Sequence, residues 1–392
     1  MRVLVASVPA AGHFHPLVPL ALALRDAGDE VVVASAPSVC DRARSMGLAA
    51  VPVGTEVEQW LETLRSRVRG IPGDGLPPER ILGYFYPRLF GECGAPAMAD
   101  DLIALVTDWR ADLVVYESTT FAAPLAAALA RVPAVHHTVS LLPPAEVWAL
   151  CADAVSPLWR SFGATPAPHA GLFSGLTLAS WPSSLDTAPG TEAFAIERLR
   201  PGAHDTASGE GLPAWVALLP DRPTVYMTLG TILNTDTAIF RAVLDGLADA
   251  PLNLIVTVGN ANDPAALGVH ATNAHVERYI PQSLLLPTCT AVISHGGSGT
   301  TLAALAHGLP QLLIPQGADQ FVNADRCVQS GVGIRLLPDE VSPEAVRHSV
   351  DALLDDEPYT RAAARVQAEI TSMPSPQDWV GALRALAENA AG

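Results

Sequence analysis

Short β-branched runs alternate with alanine- and leucine-rich amphipathic segments along the chain, the pattern of parallel strands joined by helical crossovers. Strands are predicted near Arg2–Ser7, Glu30–Ala36, Asp112–Glu117 and Ala134–Ser140. A second series runs through Thr224–Gly230, Leu252–Gly259, His275–Ile280, Ala291–His295, Gln311–Pro315 and Gly333–Leu337. Between them, about Asp186 to Trp215, lies a stretch rich in Pro, Gly, Ser and Thr with the character of an interdomain linker. At 392 residues the chain exceeds the usual single domain. The fold class expected is α/β, with two doubly wound, Rossmann-like domains facing a central cleft. Ligands of such sheets bind at the carboxyl ends of the strands, so the site is expected in that cleft.

Composition removes several chemistries. The 23 basic residues are all arginine, so neither a Walker-type lysine on phosphates nor a lysine Schiff base is available. The net charge of −17 argues against nucleic acid and against anionic membranes. Cys40, Cys93, Cys151, Cys289 and Cys327 are scattered and form no C-x-x-C pair, which indicates neither a zinc site nor a disulfide framework and fits a reducing cytoplasm. The first residues mimic a signal peptide, but Gly12, His13, His15 and Pro16 interrupt the apolar core. No uninterrupted apolar run is long enough for stable membrane insertion.

In "AVISHGGSGTTLAAL", residues 291–305, a strand ends at a histidine and glycines, and a helix begins at once. Glycines permit close backbone approach, and Ser298, Thr300 and Thr301 can cap the helix. The free N–H groups and the helix dipole make an anion site suited to phosphate, with His295 adding a donor. A plain strand-to-helix turn is the competing reading. A dinucleotide fingerprint is another, but Leu302 stands where its third glycine belongs. No D-x-D occurs, so no metal site for a phosphosugar is expected.

The stretch resembles the donor-binding signature of the family 1 nucleotide-sugar glycosyltransferases of GT-B fold, among them the bacterial macrolide, glycopeptide and enediyne antibiotic enzymes. The matching text is "GHFHP" at Gly12–Pro16, "TLGT" at Thr228–Thr231, "RYIPQ" at Arg278–Gln282 and "SHGGSGTTLAALAHGLPQLLIPQGADQFVNA" at Ser294–Ala324. The motifs occur in family order. The resemblance implies that His295 and the backbone from Gly296 through Gly297, Ser298 and Gly299 to Thr300 hold the donor diphosphate. Gly230 and Thr231 would approach the phosphates from the opposite loop. Tyr279, Ile280 and Gln282 would bind the base, Tyr279 standing where the family usually has tryptophan. Asp319 and Gln320 would reach the sugar hydroxyls. It further implies an acceptor domain over 1–205, a donor domain over 206–372, and a helix over 373–392 crossing back to the first domain.

Glycosyl transfer to a hydroxyl needs a base, and histidine suits that near neutral pH. His13 follows the first strand, and in the resembling family the histidine of G-H-x-x-P is this base; His15 is the local competitor. A base histidine needs a carboxylate to orient it. Glu117 ends a strand where many relatives have aspartate, and its competing reading is a solvated acid. His136 and His137 are read as packing or acceptor-pocket residues. An apolar acceptor would lie against the irregular parts of the first half, about Glu56–Gly94 and Leu141–Gly175, which hold Trp60, Tyr84, Phe85, Tyr86, Trp148, Trp159 and Phe173.

The expectation is an inverting, metal-independent glycosyltransferase with no cofactor beyond its co-substrate. It would move a deoxysugar from a dTDP or UDP donor to an apolar natural-product aglycone. The arginine- and alanine-rich composition suggests a GC-rich genome and hence dTDP. The partners expected are the donor and the acceptor, and the reading allows a homodimer. Two alternatives are a nucleotide-sugar 2-epimerase, which would place carboxylates where "GHFHP" stands, and a non-catalytic activator, which has no need of His13 or a phosphate site.

Overall fold

The computed structural model describes residues 1–67, 78–186, 194–202, 211–230, 237–259, 262–268 and 271–391. The chain divides into two compact units, Met1–Gly202 with Met373–Gly392, and Ala203–Ser372.

The first unit is built on strands β1 (Arg2–Ala6), β2 (Glu30–Ser35), β3 (Ala49–Pro52), β4 (Leu113–Glu117), β5 (Ala134–His137), β6 (Leu176–Ala179) and β7 (Ile196–Arg198). They form one parallel sheet in the order β3-β2-β1-β4-β5-β6-β7. The winding starts at β1 and runs outward both ways, so the order reverses between β1 and β4. One face of the sheet, through Val3, Val5, Val33, Leu113, Val115 and Val135, packs on Leu17, Leu20 and Leu24 and on Val380 and Leu383. Each such side chain contributes about 1.5–3 kcal/mol on full burial. The helix Pro376–Ala391 is fixed to this unit by Trp379, whose Nε1 donates to the Arg198 carbonyl at 3.1 Å. Arg384 adds a bond of 2.7 Å to the Ala27 carbonyl and an ion pair with the buried Asp29.

The second unit repeats the plan with β8 (Thr224–Thr228), β9 (Asn253–Thr257), β10 (Ala274–Glu277), β11 (Ala291–Ser294), β12 (Gln311–Leu313) and β13 (Gly333–Arg335), all parallel, in the order β10-β9-β8-β11-β12-β13. Its switch point lies between β8 and β11. Val225, Met227, Leu254, Val256 and Ile293 pack against Phe240, Val243, Val346 and Val350. Both sheets therefore have the doubly wound order that puts a ligand crevice at the carboxyl ends beside the switch.

Three strands lie outside the expected series. β3 is Ala-Ala-Val-Pro, with a single β-branched residue, on the sheet edge where proline is tolerated. β6 is short, and β7 is a three-residue edge strand inside the stretch read as linker. Residues 187–193 and 203–210 of that stretch lie outside the described residues. Among the described residues no helix is long and apolar enough to cross a membrane.

Candidate active site

After β1 the backbone turns into the short helical segment Ala11–Phe14, then a tight turn of 3₁₀ helix, His15–Leu17, then the helix Val18–Asp26. Pro16 and Pro19 each sit in a first turn, where a missing N–H costs nothing. This places His13 beside the end of β4, at the switch point of the first sheet. Its Nδ1 lies 3.1 Å from Oε2 of Glu117, whose side chain is fully buried. Glu117 reaches the histidine, and its reading as a solvated acid is set aside. His15 instead lies 2.9 Å from Arg42 on the exposed side.

The Glu117 carboxylate is surrounded by donors. Thr120 Oγ1 donates to Oε1 at 2.6 Å, the Thr119 amide to Oε2 at 2.8 Å, and the Val8 amide to Oε1 at 3.3 Å. Burial would raise this carboxyl, but the His13 charge and hydrogen bond, with the Thr120 hydroxyl and the Thr119 amide, outweigh it and hold it below the ordinary value. Glu117 is therefore an anion near neutral pH and accepts from His13 Nδ1–H. That leaves the imidazole lone pair on Nε2, the form a general base requires.

Ring contacts lead away from His13. Phe90 lies 5.6 Å from it, within the wide π-type helical stretch Tyr86–Gly94. Tyr86 packs on Phe90 at 5.6 Å and on Trp148 at 6.0 Å; Trp148 meets Phe173 at 6.0 Å, and Phe173 stacks on Phe194 at 4.0 Å. Trp60 and Trp159 are buried, and Trp60 fills the space above Gly94, so these two are packing residues. His136 and His137 are also fully buried; His136 bonds Ser118 at 2.9 Å and stacks on Tyr116. Burial pushes His136 down to about 3 and His137 to about 4, so both are neutral.

In the second unit, His295 follows β11 at the other switch point. A Cβ on Gly230, which has φ +74°, would lie 2.6 Å from the His295 ring, and a Cβ on Gly297 would collide with its Nε2. Its Nδ1 is buried without a hydrogen-bond partner. Burial pushes the imidazole down to about 4, against the opposing pull of Asp319. His295 is therefore neutral near pH 7.

The helix Ser298–Ala306 starts from Gly297 with no side-chain cap. The sequence offered Ser298, Thr300 and Thr301 as caps. Instead Ser298 donates to Asp319 Oδ2 at 3.0 Å and Thr300 accepts from Gln282 at 3.4 Å, while the Thr301 hydroxyl is buried without a partner. Gly299 is exposed at the first turn, so these amides are available to an anion.

Gly296, at φ +79°, is held against the Gln320 carbonyl, which a Cβ would meet at 3.1 Å. Gln320 is buried, and its Oε1 accepts from the amides of Gln316 and Gly317 at 2.8 and 3.1 Å. Its side-chain oxygen thus shapes the turn before it. Asp319 Oδ2 is shared by Ser298 and Asn323. Asn323, absent from the expected set, also bonds the Gly296 carbonyl at 2.9 Å and so ties the glycine loop to the next helix. Tyr279 is 42% exposed, whereas the Ile280 side chain is buried among Tyr226, Ile255 and Leu285. Thr231 lies outside the described residues.

The chain matches the models of the two domains of erythromycin biosynthesis protein CIII-like proteins, the N-terminal domain over residues 83–191 and the C-terminal domain over 241–386. It is 31% identical to the 10-deoxymethynolide desosaminyltransferase of Streptomyces venezuelae, over 99% of this chain and 97% of that one. The solved glycosyltransferase SnogD from Streptomyces nogalater superposes with a TM-score of 0.81 at 31% identity, covering 99% of each chain. The glycosyltransferase VinC, solved in complex with dTDP, does so with 0.81 at 26% identity, covering 99% of this chain and 100% of that one. Two parallel α/β units with a histidine site at each switch point, matched end to end by these enzymes, place the chain in the erythromycin biosynthesis protein CIII-like family, as a natural-product glycosyltransferase of GT-B fold.

Proposed function

We propose that the enzyme transfers a deoxysugar from a dTDP-sugar to a hydroxyl of an apolar natural-product aglycone, with inversion and without a metal. The observation that carries this is His13, oriented by an ionised, buried Glu117 at a strand's carboxyl end. His13 Nε2 takes the acceptor O–H proton as that oxygen bonds to the anomeric carbon. The bond from that carbon to the diphosphate oxygen breaks, and its electron pair leaves with dTDP. A single displacement inverts the anomeric centre.

The second unit supplies the donor site. The leaving diphosphate would take hydrogen bonds from His295 and from the uncapped amides of the helix Ser298–Ala306, which stabilise the charge that develops on it. The lysine-free sequence without D-x-D points to neutral donors rather than a metal clamp. Tyr279 would stack on the base, and Asp319 would face the sugar. VinC in complex with dTDP supports a thymidine donor, and the desosaminyltransferase supports a deoxysugar. Phe90, beside His13, and the stacked pair Phe173 and Phe194, all half-buried, support an apolar acceptor.

The test is calorimetric titration with dTDP and UDP in the presence of chelator, followed by transfer from dTDP-deoxysugars to a panel of polyketide aglycones. Tighter dTDP binding and a product of inverted anomeric configuration by NMR are expected. A strict requirement for Mg²⁺, or a retained configuration, would defeat the corresponding part of the reading.

A further inference from the structure

Glu117 is longer by one methylene than aspartate, and it meets His13 at 3.1 Å. Its carboxylate does not extend away from its own strand. Oε1 is 2.6 Å from the hydroxyl of Thr120, three residues on, and both oxygens are 3.0 Å from the hydroxyl of Thr119, two residues on. Thr119 Oγ1 is also 3.1 Å from His13 Nδ1. Both threonines are buried, and β-branching limits their χ1 freedom, so the hydroxyls are fixed points.

We propose that Thr119 and Thr120 are positioning residues that fold Glu117 back over its own turn and so aim Oε2 at His13, making the "ESTT" turn specific for glutamate. A hydroxyl gives its one proton to a single acceptor at a time. Thr119 spends that proton on the carboxylate, and its lone pair then offers Nδ1–H a second acceptor that fixes the plane of the imidazole. An aspartate could close the same turn on the Thr119 amide, but its carboxylate would fall short of His13 by about 1.5 Å, the length of a C–C bond. The other ionisable groups acting on Glu117 are the two β5 imidazoles, His136 and His137, both neutral.

This inference rests on His13 as the base, so His13→Ala is measured alongside. Thr120→Val is expected to lower kcat roughly 10- to 100-fold, the scale of one hydrogen bond to a charged group, with the donor KM unchanged. The acid limb of its pH–rate profile should move up, because the anion has lost a donor. Thr120→Ser should restore both. Glu117→Asp should lose as much, and adding Thr120→Val to it should cost little more. A readout independent of turnover is the His13 Nδ1 proton in NMR spectra, which should lose its downfield position in Thr120→Val and regain it in Thr120→Ser.

Wild-type kcat, pH profile and Nδ1 resonance in Thr120→Val would overturn the inference, as would a fully active Glu117→Asp. Full turnover in His13→Ala would overturn the base assignment and the inference with it. An inactive His13→Ala beside wild-type threonine variants would remove the inference alone. Should Thr120→Val fail to fold, Glu117→Asp still decides, since full activity there overturns the inference.

Discussion

Gly230 leaves the space that His295 occupies: a Cβ there would lie 2.6 Å from Cε1 and 2.7 Å from Nε2 of the ring. The two residues follow the adjacent strands β8 and β11, so the crevice at the switch point is filled by an imidazole enclosed between backbone segments. A side chain at 230 would push the ring toward the position proposed for phosphate.

Gly230→Ala is therefore expected to act at a distance on nucleotide binding. Its positive φ already strains any side chain by about 1–3 kcal/mol, which should appear in thermal melts. In addition, the variant should bind dTDP at least as weakly as His295→Ala, whose fold should be intact. Calorimetry on both variants checks this. Wild-type affinity in His295→Ala would remove the imidazole from the phosphate site, and a loss in Gly230→Ala alone would then point to the backbone.

His13→Ala should bind dTDP normally and lose roughly 10²–10⁴ in kcat, the usual contribution of a positioned general base. His15→Ala should lose far less, because its ring lies against Arg42 rather than Glu117. The acceptor must be an aliphatic alcohol, since an acidic phenol would ionise unaided. Near-normal turnover of His13→Ala on such an alcohol would defeat the assignment.

What the sequence disclosed follows physical lines. "EVVVAS" and "LVVYE" are buried strands of a parallel sheet, where burial on both faces writes a continuous β-branched run. β3 and β7 carry no such run and exist because a neighbouring strand offers an edge. The places of His13 after β1 and His295 after β11 were readable because each follows its strand directly in the sequence. The uncapped helix at Ser298 was not, since its hydroxyl is drawn to Asp319, 21 residues on, across the β11–β12 pairing. Thr119 and Thr120 were hidden for the same reason: their role depends on which way Glu117 folds.

Acid should destabilise the fold well above the carboxylate range. His136, His137 and His295 are held at about 3, about 4 and about 4, below the ordinary 6.5. Between those values and 6.5 the unfolded chain binds protons that the folded chain does not, so stability rises with pH through that window and is fully present above it. Glu117, held low, adds a separate loss only as pH falls through its folded value, below 4.5. Urea titrations at pH 7.5 and 5.5 should differ by about 1 kcal/mol per histidine. His137→Leu, which removes two buried nitrogens without hydrogen-bond partners, should flatten the dependence by one share. An unchanged slope would show that His137 takes up its proton in the folded state.

The C-terminal helix is a structural part of the first unit, because Leu383 is buried in that unit's core with Val380. Leu383→Ala should cost about 2–5 kcal/mol in chemical denaturation. Arg384→Ala should cost less, since the arginine is partly exposed and its pair with Asp29 is screened by solvent. A loss below 1 kcal/mol for Leu383→Ala would mean that the helix is not part of the cooperative core.

Among the described residues, Tyr279 is one of the few large apolar side chains left substantially exposed, while its neighbour Ile280 is buried. An exposed ring anchored by a buried neighbour can stack on a planar group, and the nucleotide base is the group proposed. Tyr279→Ala should then weaken dTDP binding by about 1–3 kcal/mol, the scale of base–aromatic stacking. Tyr279→Phe should leave it nearly unchanged, because the ring and not the hydroxyl makes the contact. Tyr279→Trp should tighten it, since the larger indole buries more of the base. Calorimetry with dTDP and with inorganic pyrophosphate separates base from phosphate: the three variants should differ on dTDP and agree on pyrophosphate. Equal dTDP affinity in Tyr279→Ala and wild type would place the base elsewhere.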